Sequence, residues 1–198
     1  MTRFQLYLTE RRKTLKHQLK LAMGALVFAC LTLLPAGNAL QAQEPPSSPY
    51  FRALLNSFSQ VPAVLAPSKG HFEAQLNSDQ TITFSLTYVN MSSPVVQAHI
   101  HFGASKTNGG VAVFLCGGQK PACPVSGTVT GVITAADVST LPVTNKDSVI
   151  PQGITPGDIA GLFDAILAGD TYVNVHTTNF PSGELRGQVR LDRQNALR

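Results

Sequence analysis

Gly70-His71-Phe72-Glu73-Ala74-Gln75-Leu76-Asn77-Ser78-Asp79-Gln80-Thr81-Ile82-Thr83-Phe84-Ser85-Leu86-Thr87-Tyr88-Val89 is the stretch that decides the fold. In its second half Ile82, Phe84, Leu86 and Tyr88 alternate with Thr81, Thr83, Ser85 and Thr87. Successive side chains of a strand point to opposite faces, so this period of two predicts a strand from Thr81 to Val89 with one buried and one wet face. Gly70 to Leu76 reads as its partner, because Asn77-Ser78-Asp79-Gln80 carries the polar turn chemistry that closes a hairpin.

Working outward, short runs rich in Val, Ile, Thr and Phe recur between Gly, Pro, Asn and Ser clusters. They predict strands at Val95 to Phe102, Val111 to Cys116, Gly127 to Ile133, Thr171 to His176 and Glu184 to Leu191. Seven strands spaced in this way indicate an all-β fold, an antiparallel β-sandwich or barrel. One helix interrupts them, with Thr155 as N-cap, Pro156 at the first helical position, Asp158 two residues on and Gly169 just past the end. Ile159, Leu162, Phe163, Ile166 and Leu167 form one apolar stripe, which reads as core lying on the sheet rather than as a cofactor groove.

The N-terminal residues read as a targeting segment. Arg3, Arg11, Arg12, Lys13, Lys16 and Lys20 precede an uncharged run, Leu21 to Leu34, of 14 residues. That is short of the roughly 20 a membrane-spanning helix needs, and it has the form of a bacterial-type signal peptide. Residues 1–39 are assigned to it, with cleavage after Ala39 or Ala42, and the paired arginines leave the general and the twin-arginine export routes both open. The proline-rich residues 40–50 read as a linker, 51–191 as one domain and 192–198 as a tail. The mature chain is expected to be secreted or periplasmic, without a transmembrane segment.

Charge narrows the partners. The chain carries a formal net charge of +4, but beyond residue 39 nine Lys and Arg face ten Asp and Glu. The basic excess belongs to the leader, so nothing argues for nucleic acid or an anionic membrane surface. Cys116 and Cys123 remain as an even pair in an oxidising compartment, where a disulfide is expected, worth about 2–3 kcal/mol for so short a loop.

The chain lacks G-x-S-x-G, a P-loop, G-x-G-x-x-G and H-E-x-x-H, and no catalytic residue is assigned. The sharpest constellation is His99-Ile100-His101. On a strand both imidazoles share a face with Cα atoms about 6.6 Å apart, close enough to converge on one metal ion. In Tyr172-Val173-Asn174-Val175-His176 a third imidazole shares its face with Tyr172 and Asn174. Three neutral imidazoles suit copper or zinc, and the alternative is that they are hydrogen-bonded members of a polar face. His71, beside Glu73, is a further candidate ligand. Glu184 and Arg186 flank Leu185, so they are expected to pair or to orient a nearby imidazole.

Several blocks together resemble the CHRD (chordin-type) domain family: Ala98-His99-Ile100-His101-Phe102-Gly103, Asn108-Gly109-Gly110-Val111-Ala112-Val113-Phe114-Leu115, Tyr172-Val173-Asn174-Val175-His176-Thr177, Phe180-Pro181 and Gly183-Glu184-Leu185-Arg186-Gly187-Gln188. The resemblance runs from about Phe51 to Arg190. The chain departs from the family pattern at Gln60, in the insertion holding Cys116 and Cys123, and in the Leu141 to Gly153 connection. The resemblance implies an immunoglobulin-like or copper/zinc superoxide dismutase-like β-sandwich or barrel in a secreted protein, with no settled activity. Likeness to the dismutases implies copper ligands at His99, His101 and His176 and an anion-guiding part for Arg186, although a bridging histidine and a cluster of zinc ligands are missing. Two readings follow: a binding or structural module for an extracellular or envelope protein or polysaccharide, and a copper-binding or dismutase-like protein using the three histidines.

Overall fold

The computed structural model describes residues 48–192. The segment read as a leader, residues 40–47 of the expected linker and residues 193–198 of the expected tail lie outside them. Nine strands form one antiparallel sheet: β1 Tyr50–Asn56, β2 Lys69–Leu76, β3 Ile82–Val89, β4 Val95–Phe102, β5 Gly110–Cys116, β6 Gly127–Ile133, β7 Thr171–Thr177, β8 Leu185–Gln188 and β9 Arg190–Leu191. The strand order is β5-β4-β7-β8-β1-β2-β3-β6, with β9 added to β1. The two ends of this path, β5 and β6, approach each other, so the sheet curls into a nearly closed barrel. Near closure leaves few unpaired strand edges and gives one enclosed core.

The hairpin that decides the fold forms as its pattern requires. β2 and β3 pair from Lys69 with Val89 to Leu76 with Ile82. Asp79 Oδ1 accepts hydrogen bonds from Thr81 N at 3.1 Å and Thr81 Oγ1 at 2.7 Å, which holds the turn. Ile82, Phe84, Leu86 and Tyr88 are buried, and the residues between them are not. Facing them inside the barrel are Phe51, Phe72, Ile100, Val173, Val175 and Leu185, all buried.

The structure differs from the predicted elements in three places. β1 begins at Tyr50, a strand that the proline-rich run before it obscures. The predicted strand Glu184 to Leu191 is broken in two at Val189, whose N–H donates to Thr171 O at 2.9 Å. The helix, α1, spans Ile159–Ala168 and is capped by Asp158, whose side chain accepts from Gly161 N at 2.8 Å, rather than by Thr155. The reason is local: Gly157 takes a positive φ of 82°, which ends the Thr155-Pro156 turn before the helix can start.

Leu162, Phe163 and Ile166 of α1 are buried, and the Phe163 ring meets the inward-facing Phe51 edge-on at 5.8 Å. Each of these side chains contributes about 1.5–3 kcal/mol by leaving water. Ile159 and Leu167, at the two ends of the stripe, are only half-buried. Cys116 and Cys123 are joined in a disulfide. Among the described residues no helix is long and apolar enough to cross a membrane.

Candidate metal centre

Strand alternation and register bring the histidines together. On β4, Ala98 and Ile100 point into the barrel, so His99 and His101 point out of it. On β7, Val173 and Val175 point inward and Tyr172, Asn174 and His176 outward. The pairing sets His101 opposite Tyr172, His99 opposite Asn174 and Gln97 opposite His176, which leaves His176 diagonal to His99. Diagonal neighbours lie within reach of aromatic rings. The β4–β5 ladder shifts register between Ala98 and His99 and again between Ile100 and His101. Bulges of this kind re-aim side chains, and here they bracket His99.

An outward face would ordinarily be wet, yet all seven residues of β7 are buried. Three connections fold over it. From the β1–β2 connection, Gln60 Nε2 donates to Asn174 Oδ1 at 2.6 Å. From the β4–β5 connection, Asn108 Nδ2 donates to Val61 O at 3.2 Å, tying the first two covers together. From the β7–β8 connection, Gly183 lies against the Asn174 and Gln60 amides, at a positive φ of 117° and with no room for a Cβ.

Under this cover His99, His101 and His176 are 3%, 7% and 7% exposed. Their ring centres are 5.4 Å (99 to 101), 4.9 Å (99 to 176) and 6.3 Å (101 to 176) apart, averaging about 5.5 Å. An ion about 2.0–2.1 Å from one nitrogen of each ring would lie about 3.2 Å from the ring centres. That sets the centres about 5.2 Å apart for a tetrahedral and about 5.5 Å for a planar arrangement. One nitrogen from each ring lies within 4.8 Å of the others, so contraction of about 1 Å would close such a site.

Hydrogen bonding fixes which nitrogens are available. His101 Nδ1 lies 2.9 Å from Gly109 O and His176 Nδ1 lies 2.9 Å from Pro181 O. A carbonyl oxygen only accepts, so each Nδ1 carries the proton and each Nε2 of the neutral ring keeps a lone pair. Both Nε2 atoms are buried without a hydrogen-bond partner, as are both ring nitrogens of His99. Burial is also why the rings stay neutral. It lowers the pKa of His99 to about 2, helped by repulsion from His176 and His101. It lowers that of His101 to about 4 against the Gly109 bond, and that of His176 against the Pro181 bond. An imidazole held by a backbone carbonyl through one nitrogen and free at the other is the arrangement of a metal ligand.

Of the other predicted site residues, Arg186 reaches the cluster only through the Tyr172 ring, and Glu184 and His71 are engaged with other groups. Glu184 and Arg186 do not pair, because the strand alternation that would align them begins only at Leu185. Glu184 accepts from Ser92 N at 2.9 Å, Ser92 Oγ at 2.6 Å and Thr177 Oγ1 at 2.7 Å. Arg186 is buried and gives its donors to Asn108 Oδ1 at 3.2 Å, Thr107 O at 2.6 Å and Ala104 O at 3.4 Å, so it fastens the β4–β5 connection rather than facing a soluble anion. His71 lies outside the cluster, half-exposed, with Nε2 3.9 Å from Glu73 Oε1.

Sequence reasoning left out what surrounds the rings. The Tyr172 ring stacks on His101 at 4.7 Å and 3°, and the Arg186 guanidinium lies 3.5 Å over the centre of the same ring. Two groups so close cannot share one face, so Tyr172 is sandwiched between His101 and Arg186. Phe114 meets His99 edge-on at 4.5 Å. Alternation places Tyr172 on the histidine face and could have pointed to it, whereas the carbonyls of Gly109 and Pro181 leave no trace in side-chain pattern.

A nearly closed antiparallel barrel with a buried three-imidazole cluster on its outer face is the class that fold and site define. The chain belongs to the CHRD domain family, whose family model matches residues 51–189. No match was found among curated proteins or among solved structures.

Proposed function

We propose that this CHRD domain is a copper-binding protein of an extracytoplasmic compartment, holding one ion between His99, His101 and His176. The observation that carries the reading is the set of four buried ring nitrogens without a partner on three rings packed together. A buried polar atom left unpaired costs about 1–3 kcal/mol, and one bound ion removes that cost at one nitrogen of each ring, three of the four. Imidazole nitrogen suits copper, and three imidazoles without a thiolate fit it. The Cys116–Cys123 disulfide suits an oxidising compartment, reached through the leader cut near Ala39 or Ala42. The test is metal content after copper loading and gel filtration, beside a His101→Phe, His176→Phe variant and a His71→Ala control. One copper per chain in the wild type and the control, and none in the double variant, supports the reading; equal copper in all three overturns it.

A second reading, a module that binds a protein or polysaccharide partner of the envelope or extracellular space, is favoured by Leu54, Phe58 and Leu65. These stand 74%, 66% and 85% exposed on β1 and the connection after it. A partner on that surface is compatible with metal on the other side of the same connection.

A further inference from the structure

We infer that the ion this centre is built to hold is monovalent copper, Cu(I), in three-coordinate form. This rests on the metal reading above and adds the charge of the ion. The donor set is the first argument. Among the described residues no carboxylate or thiolate joins the three histidines. Glu184 is occupied by Ser92 and Thr177, both cysteines are in the disulfide, and exposed Asp147 is paired with Lys146 Nζ at 2.7 Å. An ion held here therefore keeps its whole charge.

Burial makes that charge decisive. The cost of placing an ion in a poorly polarisable interior rises with the square of its charge, so a dication without an anionic ligand is penalised about four times as heavily as a monocation. The one fixed charge stacked against the cluster is also positive. Arg186 stands directly behind the ring that stacks on His101. Its repulsion acts twice as strongly on a divalent as on a monovalent ion.

Shape points the same way. The whole donor set is three imidazoles, and the walls beside His99 and His101 are the aromatic rings of Phe114 and Tyr172. Zn(II) calls for a fourth ligand, commonly water, and Cu(II) for a tetragonal set of donors. A filled-shell monocation accepts three neutral nitrogens in a plane.

The test is a set of competition titrations on the purified protein with its disulfide intact. Cu(I) is titrated without oxygen against bicinchoninate, and Cu(II) and Zn(II) are titrated against chelators of known strength. The expected result is one Cu(I) per chain, held about 1,000-fold or more tightly than either divalent ion. Cu(II) or Zn(II) binding as tightly as Cu(I) at the same histidines overturns the monovalent assignment and leaves the metal centre standing. If none of the three ions binds, both readings fall. A Phe114→Glu variant, its fold checked by circular dichroism, sets a carboxylate beside His99 and is expected to narrow the preference about tenfold or more. An unchanged preference in the folded variant overturns the charge argument.

Discussion

Replacing His99 with leucine is expected to stabilise the metal-free protein. The His99 ring is 3% exposed, and neither of its nitrogens has a hydrogen-bond partner. Leaving a polar group buried and unpaired costs about 1–3 kcal/mol, and leucine, of similar volume, removes that cost. The gain at pH 7 corresponds to a rise in Tm of about 2–12 °C for a domain of this size. The pH dependence adds to it. Burial first, and then His176 and His101, lower the folded-state pKa of His99 to about 2. In the unfolded chain it is about 6.5. Above about pH 6.5 the ring is neutral in both states and contributes no pH dependence. Below that, the unfolded chain takes up a proton that the folded chain refuses, and stability falls by about 1.4 kcal/mol per unit until the folded pKa is reached. At about pH 4.5 the wild type has lost about 2.7 kcal/mol through this one ring, so the variant's advantage widens to about 4–6 kcal/mol. Urea denaturation of chelator-treated proteins at the two pH values measures both quantities. A variant less stable than wild type at pH 7, with no wider gap at pH 4.5, would refute the claim that these nitrogens are orphaned and with it the reason to expect a metal.

Three other substitutions test the frame around the centre. Asp158→Ala removes the cap that accepts from Gly161 N at 2.8 Å, and thermal denaturation should show a loss of about 0.5–2 kcal/mol. Burial raises the pKa of Glu184, but hydrogen bonds from Ser92 and Thr177 outweigh it and hold the carboxyl below its ordinary value. Its stabilisation is therefore present above its unfolded pKa and disappears as pH falls through the lowered folded one. Glu184→Gln should cost about 1–3 kcal/mol at pH 7 and flatten that part of the acid limb, read from urea midpoints across pH. Replacing Cys116 and Cys123 together with serine should lower the unfolding free energy by about 2–3 kcal/mol under oxidising conditions and make no difference under reducing ones.

The strands that alternate cleanly were legible in the chain. In β3 the apolar and hydroxyl residues alternate, and the buried and wet faces follow. His99 and His101 share a face for the same reason, and the register then brings His176 beside them. The strand β1 was hidden because Tyr50 follows a run of Pro and Ser that reads as linker. Glu184 and Arg186 do not pair: Glu184 lies one residue before β8 and bonds Ser92 and Thr177, while Arg186 stacks on the Tyr172 ring beside His101. The cover over the histidines was not legible either. It is held by long-range hydrogen bonds such as Gln60 with Asn174 and Arg186 with Thr107, which link segments far apart in sequence. Without it the outer face of β7 would be wet and the imidazoles ordinary. The decisive feature of the site, ring nitrogens with no partner, therefore belongs to tertiary structure.

The central claim is that three imidazole nitrogens jointly hold one ion, and X-ray absorption of the copper-loaded protein tests it most directly. The account predicts three nitrogen neighbours at about 2.0 Å, with the outer-shell scattering of imidazole rings, and loss of that signal in a folded His99→Ala, His101→Ala, His176→Ala variant. Copper bound through oxygen or sulfur, or a spectrum unchanged in the triple variant, would contradict it.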